Sequence, residues 1–146
     1  MSPIQGQQVN AANRKLFLIV TALAEGSIGL GLLLLPSVPL ALLLGLESAA
    51  VEAVLVGRIA GAALVAIATA SWAAKAEALN PAVFGLLSGI LIYNTLVLIL
   101  LVYASALLKM AGVLLWPTVV AHAVLAVWGA LLLFRGEIGD SRRAGS

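Results

Sequence analysis

Apolar positions along this chain fall into four long runs separated by short polar breaks, covering residues 16–35, 51–74, 81–107 and 112–134. At 1.5 Å per residue, about 20 apolar residues cross a hydrocarbon core of roughly 30 Å, so each run has the length of a membrane span. The first stops at Pro36, and the second is flanked by Glu52 and Lys75. The third opens on Asn80-Pro81, a capping residue followed by a proline suited to the first helical turn. The fourth has two available starts: Pro117 either kinks a helix begun near Gly112 or sits in the first turn of one begun at Trp116. Between the first two runs, SVPLALLLGLES (37–48) is apolar but too short to cross, which predicts a short helix at the interface. Residues 1–15 and 136–146 read as solvated tails around a single membrane domain at 16–135. The pattern predicts an all-α integral membrane protein, a four-transmembrane-helix bundle with a short interfacial helix between its first two spans.

Composition agrees and removes several function classes. Apolar residues make up 63% and charged residues 10% of the 146 positions, unlike any water-soluble domain. A net charge of +2, with basic residues spread over ends and loops, argues against nucleic-acid binding. The absence of cysteine excludes disulfides, thiolate metal sites and thiol nucleophiles.

The basic residues also predict an orientation. With the N-terminus in the cytoplasm, Arg14, Lys15, Lys75, Arg135, Arg142 and Arg143 lie inside, Lys109 alone lies outside, and Arg58 is within the membrane. Both termini are then cytoplasmic in a multi-pass protein of the cell membrane, and the segment with Glu47 and Glu52 faces out. The first run is too long for a signal-peptide core and carries Glu25, so it is expected to be a retained span.

Small residues four apart let helix backbones approach closely in lipid. Gly57 with Gly61 and Gly85 with Gly89 form two such pairs, and both are expected to pack helices within the chain, with a face for a second copy as the other use. Thr21, Glu25 and Gly29 form a stripe on the first span, and Thr118, His122, Ala126 and Gly129 form one on the fourth. Among the aromatics, Trp72 and Trp116 read as membrane-boundary residues, and Trp128 as a packing or lipid-facing one.

Each span contributes one strongly polar side chain: Glu25, Arg58, Asn94 and His122. Counted from the expected outer ends, Arg58 lies at a depth of roughly 10 Å, Glu25 at roughly 16 Å and His122 at roughly 8–15 Å, and Asn94 is placed in the same band. The four are therefore expected to converge in the outer half of the bilayer. Glu25 and Arg58 carry opposite charges on consecutive spans, and a lone charge at mid-bilayer costs at least ~2.5 to 3.5 kcal/mol, so they are expected to face inward and pair. Asn94 and His122 satisfy the remaining donors and acceptors, with Tyr93 beside them. Side chains lean toward helix N-termini, which pulls Arg58 and Glu25 in opposite directions and leaves room for a bridging water or ligand. The constellation is either a buried polar network that sets helix register or a pocket in which Arg58 meets an anionic headgroup or carboxylate while Glu25 titrates.

The sequence lacks HExxH, a serine elbow, a phosphate-binding glycine loop and carboxylates paired at one depth, so it points away from catalysis. His122, Glu25 and Asn94 beside a cation make a poor metal shell, and no cofactor or metal is expected.

Two resemblances add to this reading. The stretch LAEGSIG (23–29) resembles the first helix of the small multidrug resistance transporters, which implies a proton- and cation-binding role for Glu25. The overall plan is similar to the DoxX-like bacterial four-helix membrane proteins of the inner membrane. The similarity lies in a glycine-rich first helix, a short proline-containing segment and the GRIAGAAL stretch (57–64). That similarity implies the same fold and is compatible with an accessory subunit of a larger, redox complex. The function expected is a non-enzymatic membrane protein whose polar core is structural or binds a small polar or lipid ligand. A proton-coupled small-molecule transporter using Glu25 is the alternative, and a homo-oligomer or accessory-subunit partner is compatible with either.

Overall fold

The computed structural model describes residues 3–144 and, within them, the side chains of residues 5, 6 and 8–134. Five helices follow in order: α1 (Pro3–Leu34), α2 (Ser37–Leu44), α3 (Val51–Ala74), α4 (Pro81–Ala106) and α5 (Leu115–Ala144). Four of them contain a segment long and apolar enough to cross a bilayer: Gln8–Leu34, Val51–Ala74, Pro81–Ala106 and Leu115–Phe134. The protein is an all-α, multi-pass membrane protein.

Local chemistry sets most helix ends. Asn80 caps α4 by accepting from the backbone N–H of Ala82 and of Val83, each at 3.0 Å, and Pro81 occupies the first turn where its missing donor costs nothing. Pro117 resolves in the same way: α5 begins at Leu115 and the proline falls in its first turn. Gly45 ends α2 with φ 73°, a left-handed conformation suited to glycine. Helix α1 extends back to Pro3, through a segment whose polar composition suggests a solvated tail. That stretch is rich in Ala and Gln, good helix formers, and it elongates an already nucleated helix. The corresponding expectation for 136–146 concerns side chains outside the described residues.

The helices form two closely packed antiparallel pairs, α1 with α3 and α4 with α5, joined chiefly along α1 and α5. In the first pair the backbones nearly touch. A Cβ on Gly61 would lie 2.7 Å from the carbonyl oxygen of Gly29, and one on Gly29 would lie 2.9 Å from the carbonyl oxygen of Gly61. Glycine at both crossing positions is what allows this approach. Gly57, one turn from Gly61, packs over Leu32, Pro36 and Leu40. Gly85 and Gly89 behave differently from the sequence expectation: a Cβ at either would meet nothing within 4 Å, so neither packs a helix inside the chain.

Two apolar clusters form the core, one across the seam between the pairs and one within the α4–α5 pair. One joins Phe17, Leu18, Val83, Leu87, Ile90 and Leu125, with Phe17 edge-on to Trp128 at 5.4 Å. The other, at the end carrying α2, joins Leu101, Leu115 and Val119 with Leu43 and Val97 against them. Between the clusters lie the polar Tyr93 and Asn94 of α4 and His122 of α5. A polar layer thus lies between two apolar ones.

Candidate functional site

Tyr93 and Asn94 are consecutive on α4, so their side chains diverge by about 100° around the helix and address different neighbours. Tyr93 turns to α1 and donates its hydroxyl to Glu25 Oε2 at 3.1 Å. Asn94 turns to α5. Its Nδ2 donates to the Ile90 carbonyl oxygen at 2.8 Å, and its Oδ1 lies 2.8 Å from His122 Nδ1. An amide oxygen cannot donate, so in this arrangement His122 Nδ1 carries the hydrogen. In the neutral imidazole Nε2 is then an acceptor, and no hydrogen bond engages it among the described residues. The rings of Tyr93 and His122 meet edge to face at 5.8 Å, which closes a continuous line Glu25, Tyr93, His122, Asn94 across three helices.

The line is secluded. Asn94 is fully buried, Glu25 is 4% exposed and His122 8% exposed. The stripe expected on α1 faces inward, since Thr21, Glu25 and Gly29 are all buried. Asn94 lies about 18 Å from the α2 end of α4 at 1.5 Å per residue, near the middle of that helix.

Arg58 is absent from this line. It is exposed, and it makes no hydrogen bond or ion pair among the described residues, so the expected pairing with Glu25 does not occur. The reason is rotational. Helix α3 buries Gly57, Gly61, Leu64, Ala68 and Ser71, a 4-3-4-3 spacing that defines one stripe against α1. Arg58 follows Gly57 by one residue, about 100° around the helix, and leaves the contact. The same stripe was a legible signal for Ser71, a fully buried residue that polarity and depth alone do not single out. Ser71 Oγ and Thr21 Oγ1 are both buried with no hydrogen-bond partner among the described residues.

What remains at Glu25, among the described residues, is a carboxyl inside an apolar bundle with one hydroxyl as partner and no cation paired with it. Such a group is neutralised by a proton or by a positively charged ligand. Among the described residues no three His, Cys, Asp or Glu side chains gather as a metal site would require. In comparisons with known proteins, no family model matches the chain, and neither a curated protein nor a solved structure matches it.

Proposed function

We propose that this membrane protein binds a small, positively charged polar ligand at Glu25, in exchange with the proton that the carboxyl otherwise holds. The observation that carries the proposal is the nearly complete burial of Glu25 with, among the described residues, Tyr93 as its single hydrogen-bond partner and no basic side chain paired with it. The Tyr93 ring supplies a π-face and His122 Nε2 an acceptor, which complement a cation that carries a donor. A cation-binding carboxyl beside a fixed arginine would be self-defeating; with Arg58 turned away that objection disappears. Ligand–proton exchange at one carboxyl is the elementary step of a proton-coupled small-molecule transporter, and the likeness of LAEGSIG to the small multidrug resistance transporters supports the same role. In this proposal both termini are cytoplasmic, and the bundle resides in a bacterial-type cell membrane as a DoxX-like protein does.

Asn94 and His122 support a second, structural role within the same layer. Their short buried hydrogen bond fixes α4 against α5, and buried polar pairs of this kind specify register more than they stabilise. The layer then has a structural half and an exchanging half. Purified protein in lipid nanodiscs, titrated with benzylammonium in weak buffer, tests the proposal. Binding should release a proton, and Glu25→Gln should abolish both signals while the helical content is retained. Unchanged binding by Glu25→Gln would overturn it.

A further inference from the structure

The exposed Arg58 calls for its own explanation, independent of the Glu25 site. Val51 begins α3 and Arg58 follows about 10 Å along it, so in a helix of about 36 Å centred on the bilayer its Cα lies about 8 Å inside the hydrocarbon boundary. Its side chain leans toward the helix N-terminus, which is the nearer boundary, and an arginine stem is long enough to bring the guanidinium there. Short α2 marks the same level. Its Leu40 packs over Gly57, the residue before Arg58.

Among the described residues no group neutralises the charge. Val51 and Leu55, exposed on the turns of α3 nearer the boundary, are apolar, and neither Glu47 nor Glu52 pairs with Arg58. Glu25 of a second copy is buried in its own bundle and out of reach. The anions present at that level all around the protein are the phosphates of the lipid headgroups. The planar guanidinium forks onto phosphate oxygens through two N–H groups, a geometry that an ammonium lacks.

From this geometry we infer that Arg58 is a binding site for the phosphate of an anionic phospholipid, in the leaflet next to α2. Native mass spectrometry of the full chain in mild detergent, titrated in parallel with phosphatidylglycerol and phosphatidylcholine, tests it. The wild type should retain one phosphatidylglycerol with about fivefold preference, the factor that one basic residue near an anionic surface contributes. Arg58→Gln should lose that preference, and Arg58→Lys should keep part of it, since the charge persists without the fork. Should Arg58→Gln fail to fold, the Lys variant still decides: affinity equal to wild type removes the bidentate phosphate contact. Equal lipid retention by wild type and Arg58→Gln would overturn the site. Displacement of the lipid by inorganic phosphate would reassign it to a soluble anion. A wild-type dimer that Arg58→Gln or Glu52→Gln dissociates would reassign it to a second copy.

Discussion

Tyr93 donates to Glu25 across the seam between the two helix pairs at 3.1 Å, while the next residue, Asn94, holds His122 within its own pair at 2.8 Å. One bond therefore crosses the looser junction of the bundle and the other braces a tight one. Their strengths and roles should separate on mutation.

Tyr93→Phe removes the one hydrogen bond to a buried carboxyl and keeps the ring. It should destabilise the protein by about 1–3 kcal/mol, the cost of a buried polar group left unpaired. Glu25→Gln keeps an acceptor for the Tyr93 hydroxyl and should cost less. Thermal unfolding of both variants in one detergent checks the order, and a larger loss for Glu25→Gln would contradict it.

Asn94→Ala and His122→Ala should each destabilise, and their effects should be strongly non-additive, with a coupling of about 0.5–3 kcal/mol as expected for residues in contact. A double-mutant cycle measures this directly. Additive losses would show that the 2.8 Å bond contributes nothing specific.

Glu25 and Arg58 should show the opposite behaviour. Because Arg58 leaves the α1–α3 contact, the effects of Glu25→Gln and Arg58→Gln on stability should add to within about 0.5 kcal/mol. Recovery of stability in the double variant would demonstrate a pair that the fold does not contain.

The two glycine pairs give a further contrast. Gly61→Ala places a methyl 2.7 Å from the Gly29 carbonyl oxygen and should cost about 1–3 kcal/mol through overpacking. Gly85→Ala meets open space and should be neutral or stabilise by about 0.5–1 kcal/mol, through the helix preference of alanine over glycine. If Gly85→Ala instead changes the oligomeric state on size exclusion, that face contacts another helix in the membrane.

A similar contrast holds at the α2 end. Gly112 lies against the backbone of Leu42 and Leu43, where a Cβ would collide with the Leu42 carbonyl oxygen, the same oxygen that accepts from Leu114 N at 2.9 Å. Gly112→Ala should break that hydrogen bond and loosen α2, seen as faster amide exchange at Leu114 with the exchange of α3 unchanged.

Span number and the short α2 followed from hydropathy alone, because apolar length against bilayer thickness is a one-dimensional property. The inward stripe of Thr21, Glu25 and Gly29 was equally legible, since side chains four apart share a helix face whatever the partner. Tertiary structure decided which faces meet. Polarity and depth bring Glu25 and Arg58 to a common band, but a rotation of one residue on α3 separates them, and Gly57 and Gly61 set that rotation by admitting the α1 backbone. Gly85 and Gly89 carry the same spacing and pack nothing within the chain, because a small-residue motif permits close approach without supplying a neighbour. The pairing of helices, and with it the choice of Tyr93 in place of Arg58 as the partner of Glu25, depends on contacts between residues far apart in the chain, which no local pattern encodes.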